Sequence, residues 1–216
     1  MTKYDTVIFD LDGTLLDTLE DLADSVNYAL ARFGYPGRSI EQVRNFVGNG
    51  VARLIELAIP GGTANPQYKA CLADFRSHYS GNMQNKTKPY DGINALLNQL
   101  SKDNYKLAIV SNKFDGAVKG LCRAYFGEYI KIAIGESENV SKKPAPDTVL
   151  KALTELGSSS GRAVLVGDSE VDVKTAKNAG VLCVGVTWGF RGREVLEREG
   201  ADCIINKPEE LLEIIF

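Results

Sequence analysis

Phe9-Asp10-Leu11-Asp12-Gly13-Thr14 closes the first apolar run of the chain with two carboxylates two residues apart. Carboxylates leaving a buried strand are costly unless something compensates them. Mg²⁺ is suited to that task, because this hard cation takes one or two carboxylates together with water and phosphate oxygens. Gly13 allows the backbone to turn sharply after the pair. The competing reading of a bare Asp-x-Asp is a solvated acidic turn. An EF-hand is excluded, since its loop wants glycine at position 6 and here glycine follows at position 4.

Three further groups share this character. Val110-Ser111-Asn112-Lys113 offers a hydroxyl and an amide that can hydrogen-bond phosphoryl oxygens. Val166-Gly167-Asp168-Ser169-Glu170-Val171-Asp172 supplies more carboxylates for a cation. Lys142-Lys143-Pro144-Ala145-Pro146-Asp147 puts a lysine before a stiff turn into a helix. Ser-Asn and Lys-Pro pairs are common in turns and helix entrances, so the argument rests on their joint placement.

That placement depends on the elements around them. Thr6-Val7-Ile8-Phe9 is apolar without alternation, as expected of a strand covered on both faces. Similar runs follow at Lys106–Val110, Ile130–Ile134, Ala163–Val166, Leu182–Val186 and Cys203–Ile205. Helical stretches lie between or after them at Gly92–Leu100, Gly116–Tyr125, Asp147–Leu156, Val171–Ala179 and Pro208–Ile215. This alternation predicts an α/β fold, a Rossmann-like parallel sheet core with helices on both faces. In such a sheet all strand carboxyl ends share one edge, where ligands bind. Asp10, Asp12, Ser111 and Asp168 are therefore expected to converge in one crevice.

From Asp17 to about Gln84 the spacing is helical throughout. Leu19, Leu22, Ala23, Val26, Leu30 and Phe33 form one stripe behind a Thr18-x-x-Asp21 capping pattern. Val43, Phe46 and Val47 begin a second stretch. Val51, Leu54, Ile55 and Ala58 form a third, and Tyr68, Leu72, Phe75 and Tyr79 a fourth. The expected organisation is a catalytic core of residues 1–16 and 85–216 interrupted by an inserted α-helical cap domain, 17–84. Its connections near Leu15–Thr18 and Asn85–Pro89 are expected to act as a hinge.

With these motifs in order, the sequence resembles the haloacid dehalogenase superfamily of phosphotransferases over essentially the whole chain. Asp10-Leu11-Asp12-Gly13-Thr14 looks like its first motif, Ser111-Asn112 its second, Lys143 its third, and Gly167-Asp168-x-x-x-Asp172 its fourth. The insert matches the position of the family's small helical cap. Phe46-Val47-Gly48-Asn49-Gly50, Lys88-Pro89-Tyr90-Asp91-Gly92 and Gly185-Val186-Thr187-Trp188-Gly189 are most similar to segments of phosphoglycolate phosphatases. The resemblance implies a Mg²⁺-dependent phosphate monoester hydrolase acting on a small, phosphoglycolate-like metabolite through an aspartyl-phosphate. It implies Asp10 as nucleophile, Asp12 as acid and base, and Ser111, Asn112 and Lys143 as ligands of the phosphoryl group. It assigns the metal to Asp10, the Asp12 backbone carbonyl and Asp168. Asp172 is expected to orient Lys143 or a metal-bound water, with Glu170 as its competitor and Lys142 as the competitor of Lys143.

Other readings use the same scaffold. A sugar phosphomutase would return the phosphoryl group to its substrate, and pyrophosphatase or nucleotidase variants differ in leaving group. A receiver domain fits poorly, being far shorter and carrying its aspartate after the third strand. Arg44 and Arg53 flank Gly48-Asn49-Gly50 and either bind a substrate carboxylate or are surface residues. Trp188 is expected to pack, and His78 to be structural or solvated.

The 216 residues amount to between one and two domains at roughly 150 residues each. Hydrophobic residues at 44% and charged residues at 25% exclude a disordered or fibrous chain. A net charge of −3 argues against general nucleic-acid binding. The apolar runs fall far short of the ~20 residues that span a bilayer. Met1-Thr2-Lys3-Tyr4-Asp5 shows no export signal, and Cys71, Cys122, Cys183 and Cys203 read as reduced thiols. The expectation is a cytoplasmic protein, monomer or weak homodimer, with a small-molecule phosphate ester as its partner.

Overall fold

The computed structural model describes residues 3–138 and 140–216; Met1 and Thr2, read above with the N-terminal segment, lie outside the described residues, as does Asn139. The chain divides into two compact units, Met1–Leu16 with Pro89–Phe216, and Asp17–Lys88.

The first unit holds the sheet. Its strands are β1 (Thr6–Phe9), β4 (Lys106–Phe114), β5 (Ile132–Glu136), β6 (Ala163–Gly167), β7 (Leu182–Val186) and β8 (Cys203–Ile205). Among the described residues they form one parallel sheet in the order β5-β4-β1-β6-β7-β8. All four residues of β1 are buried, which is why that run shows no alternation. Ile8, Val110, Ile134, Leu165 and Cys183 share a core cluster with Val149, Ala152 and Val173. The last three belong to the helices α7 (Asp147–Leu156) and α8 (Glu170–Ala179). The chain leaves β1 for β4 on one side and later returns to β6 on the other. The strand order thus reverses at β1, placing the ligand crevice at its carboxyl end.

Several element boundaries differ from the sequence expectation. β4 runs on through Ser111, Asn112 and Lys113 to Phe114, with a register shift between Val110 and Phe114 in its pairing with β5. Polar side chains hid this extension, since the strand carries its site residues within its own last turn of pleat. β5 lies two residues later than expected, at Ile132–Glu136. A short helix, α9 (Arg193–Glu199), was not anticipated, because Leu196 is its one buried residue among charged neighbours. The terminal helix begins as a 3₁₀ turn at Pro208–Glu210 before α10 (Leu211–Ile215).

The second unit contains α1 (Leu19–Arg32), α2 (Ile40–Phe46), α3 (Val51–Ala58) and α4 (Tyr68–Asn82). Leu19, Leu22, Ala23, Val26 and Leu30 form the buried stripe of α1, and Cys71, Phe75 and Tyr79 that of α4. The side-chain cap expected at Thr18 does not form. Asp21 instead turns its buried carboxylate to the backbone N–H groups of Lys86 at 3.0 Å and Thr87 at 2.9 Å. Lys86 also pairs with Asp24 at 2.8 Å. These long-range bonds keep residues 85–88 with the helices, so this unit ends at Lys88 rather than Gln84. A proper capping box occurs at Ser39 and Gln42 of α2. The chain segments that cross between the units, β2 (Leu16–Asp17) and β3 (Lys88–Pro89), form a two-stranded ladder.

Candidate active site

Asp10 follows β1 directly and stays in register through its N–H, which donates to the Val166 carbonyl at 2.9 Å. Its Oδ1 lies 2.7 Å from the Lys143 ammonium, and the same ammonium lies 2.7 Å from Asp172 Oδ1. Both lysine contacts are buried. Burial alone would lower the Lys143 pKa, but Asp10 and Asp172 outweigh it and hold the lysine firmly protonated. Lys143, rather than Lys142, is therefore the lysine of this site.

Asp168 directly follows β6, and the Phe190 N–H donates to its Oδ2 at 2.7 Å. Asp172 sits one turn into α8, where its Oδ2 accepts from both the backbone N–H and the hydroxyl of Ser169, at 3.1 and 2.6 Å. Glu170 turns to Arg191 at 3.4 Å, so Asp172 is the residue that reaches Lys143. Asn112 donates to the Lys143 carbonyl at 2.9 Å, tying the second motif to the third. Ser111 Oγ accepts from the Lys113 N–H at 3.2 Å. Ser111, Asn112, Lys143, Asp10 and Asp168 are all buried at this one strand edge, as the parallel topology requires.

The loop after β7 closes against the same place. Trp188 Nε1 donates to the Thr14 carbonyl at 3.0 Å. The neighbouring Gly189 approaches so closely that a Cβ there would lie 2.3 Å from both Asp168 Cβ and the Gly13 carbonyl oxygen. Gly13, at φ +86°, takes the left-handed turn that glycine adopts without cost. Trp188 thus packs and donates a hydrogen bond to the acidic loop. Phe190 carries no sequence signal, and Gly189 is named from sequence only within the segment Gly185–Gly189, because their contribution comes through backbone and close approach.

The carboxylates test whether a cation fits. Oxygens of Asp10, Asp168 and Asp172 all lie within 4.8 Å of one another. Burial pushes Asp10 up to about 7 against the opposing pull of Lys143, with Asp172 and Asp12 adding to the rise. Burial, followed by Asp172 and Asp10, likewise raises Asp168 well above the ordinary carboxylate range. Asp10, Asp12, Asp168 and Asp172 face two ammonium groups, Lys143 and Lys113. Lys143 is shared by Asp10 and Asp172, and Lys113 pairs with Asp12. The all-oxygen donor set suits a hard ion. This buried acidic group can hold a metal.

The remaining candidates lie in the helical unit. Arg44 pairs with Glu41 at 3.4 Å and Arg53 with Glu56 at 2.7 Å along their own helices. His78 meets Ser25 at 3.0 Å and stacks on Tyr28 with centroids 3.9 Å apart, a structural placement. Cys122 and Cys183 are buried free thiols. No helix among the described residues is long and apolar enough to cross a membrane.

Known proteins resemble this chain over most of its length. The family model described as haloacid dehalogenase-like hydrolase matches residues 7–186. A phosphoglycolate phosphatase of Pseudomonas putida is 34% identical over 212 residues, covering 95% of this chain and 78% of the relative. One of Aquifex aeolicus is 30% identical over 210 residues, covering 97% and 95%. A solved chain from Lactobacillus delbrueckii superposes with a TM-score of 0.93 at 34% identity over 99% of each chain.

Proposed function

Since the chain belongs to the haloacid dehalogenase-like hydrolase family and is a phosphatase, we propose that it is a Mg²⁺-dependent phosphate monoesterase acting through an aspartyl-phosphate. A small phosphoglycolate-like ester is the substrate that its relatives' names suggest. The observation that supports this reading best is Asp10: a carboxylate at the sheet's switch point, with Lys143 on one oxygen and two more buried carboxylates beside it.

In this reading an Asp10 oxygen attacks phosphorus while the bond to the leaving oxygen breaks, and Asp12 gives that oxygen its proton. Asp12 then takes a proton from the water that cleaves the aspartyl-phosphate. Ser111, Asn112 and Lys143 hold the phosphoryl oxygens, where charge compensation contributes most to catalysis. Asp172 keeps Lys143 aimed at the site. The Asp10 and Asp168 carboxylates and the Asp12 backbone carbonyl would hold Mg²⁺, which would supply charge neutralisation at the phosphoryl group. The helical unit 17–88 serves as the cap that selects the leaving group, and the protein acts in the cytoplasm.

The test is a phosphate-release screen with Mg²⁺ across phosphoglycolate, sugar phosphates, nucleoside monophosphates and pyrophosphate. Release from phosphoglycolate, abolished in Asp10→Asn, supports the reading. Isomerisation of a sugar phosphate without phosphate release would replace it with a mutase.

A further inference from the structure

We propose that Lys113 is a positioning residue for Asp12, needed in proportion to how much the leaving oxygen depends on a proton; the inference rests on the reading of Asp12 as proton donor given above. Lys113 Nζ lies 2.5 Å from Asp12 Oδ1, with side chains 3% and 12% exposed. None of the roles carried by the four motifs includes this lysine.

The contact joins the loop after β1 to the end of β4. β1 and β4 are neighbouring parallel strands, with Phe9 opposite Ile109 in register. Asp12 lies three residues beyond the end of β1, and Lys113 sits within the last residues of β4. The residues just before Lys113 are Ser111 and Asn112, so one strand end carries both the phosphoryl-binding pair and the partner of Asp12. The two lysines divide the site between them: Lys143 holds Asp10 and Asp172, whereas Lys113 holds Asp12.

Stability alone does not account for such a pair. Desolvation of two buried charges largely offsets their attraction, and apolar replacements of a whole pair are often neutral. What a short ion pair between the loop after β1 and the end of β4 supplies is direction. A proton donor must stand within hydrogen-bond reach of the oxygen it protonates; Asp12 does so in its protonated form, and the pair with Lys113 holds the carboxylate that remains once the proton has gone to that oxygen. An Asp12 released from Lys113 loses the contact that ties it to β4, while Lys143 keeps its contacts with Asp10 and Asp172.

The chemistry makes this selective. When the Asp10 oxygen bonds to phosphorus, the electron pair of the breaking ester bond stays on the leaving oxygen. An alkoxide must take the Asp12 proton as it forms, whereas nitrophenolate leaves as a stable anion. The ratio kcat/KM reports the steps through departure of the leaving group, before the aspartyl-phosphate common to all esters is hydrolysed. Loss of Lys113 therefore slows alkyl phosphates more than aryl phosphates.

The experiment measures kcat/KM with Mg²⁺ for wild type, Lys113→Met, Lys113→Arg, Asp12→Asn and the Asp12→Asn/Lys113→Met double variant. Phosphoglycolate, ethyl phosphate and p-nitrophenyl phosphate are the substrates. In Lys113→Met both alkyl esters are expected to fall at least about 30-fold, and at least about tenfold more than the aryl ester. Lys113→Arg, which keeps the charge, is expected to fall between wild type and Lys113→Met. In the Asp12→Asn background, loss of Lys113 is expected to cost less than about threefold, since it acts through a group already removed. The double variant removes both charges, so this comparison stands even where Lys113→Met fails to fold. Equal losses on alkyl and aryl esters, or full additivity with Asp12→Asn, would overturn the proposal. A loss confined to phosphoglycolate and absent with ethyl phosphate would overturn it too, assigning Lys113 to the substrate carboxylate. A wild-type protein that releases phosphate from none of the three esters would instead reject the functional reading on which the proposal rests.

Discussion

Asp172 Oδ1 and Asp10 Oδ1 lie at the same 2.7 Å from the Lys143 ammonium, so one lysine is held between the start of α8 and the end of β1. The second oxygen of Asp172 accepts two bonds from Ser169, which fixes the carboxylate's own orientation. Such outer partners commonly matter about 10–100-fold for the group they orient. Asp172→Asn is therefore expected to lower kcat/KM for the phosphate ester by about that range while the protein remains folded. In a Lys143→Met background the same change should add little. Steady-state kinetics of the single and double variants check this, and independent losses would show that Asp172 acts by another route.

The raised carboxylates make the metal-free protein pH-sensitive. Asp10 is pushed from an ordinary value of 3.8 to about 7, chiefly by burial, so the folded state holds a proton that the unfolded state releases. That contribution to stability is complete below the unfolded pKa and is lost as pH rises through the folded one. Mg²⁺ binding to the ionised site restores stability by mass action. Thermal melts should show a larger rise in Tm on adding Mg²⁺ at about pH 8 than at about pH 5. Equal shifts at both values would detach the metal from Asp10 and Asp168.

Gly189 is expected to tolerate no side chain. A Cβ there would meet Asp168 Cβ and the Gly13 carbonyl oxygen at 2.3 Å, well inside van der Waals contact. Gly189→Ala should therefore displace the acidic loop or Asp168. The expected result is weaker Mg²⁺ binding by calorimetry, together with lost phosphate release. Unchanged metal affinity would mean that the loop after β7 yields without disturbing the carboxylates.

In the helical unit, Asp21 should be a stability residue. It is 2% exposed and satisfies the N–H groups of Lys86 and Thr87. Each buried donor left without an acceptor costs about 1–3 kcal/mol. Asp21→Ala is thus expected to destabilise urea unfolding by about 2–4 kcal/mol. It should also speed amide exchange at Lys86 and Thr87 before the rest of the unit. Native-like protection at both amides would contradict this.

The sequence by itself determined the parallel sheet and the helical character of residues 17–84, and it pointed to the strand ends as the place of the candidate site. Apolar runs such as Thr6–Phe9 cannot be stable with either face in water, and a parallel sheet gathers all their carboxyl ends on one edge. Asp10, Asp12, Ser111 and Asp168 were therefore expected at one edge from local pattern, whereas the choice of Lys143 over Lys142 came from the family resemblance. The tertiary structure decided pairings between segments far apart in the chain. Asp21 reads locally as part of a capping pattern, yet its carboxylate is held by backbone 65 and 66 residues away. Lys113 reads as one more residue after a turn-like Ser-Asn, yet it stands against Asp12 across 101 residues. Gly189 has no side chain to announce itself, and only the approach of two loops requires it. Hydrophobic period and backbone torsion preferences act over a few residues. The direction of a buried charge depends on whichever counter-charge the completed fold brings within hydrogen-bond distance.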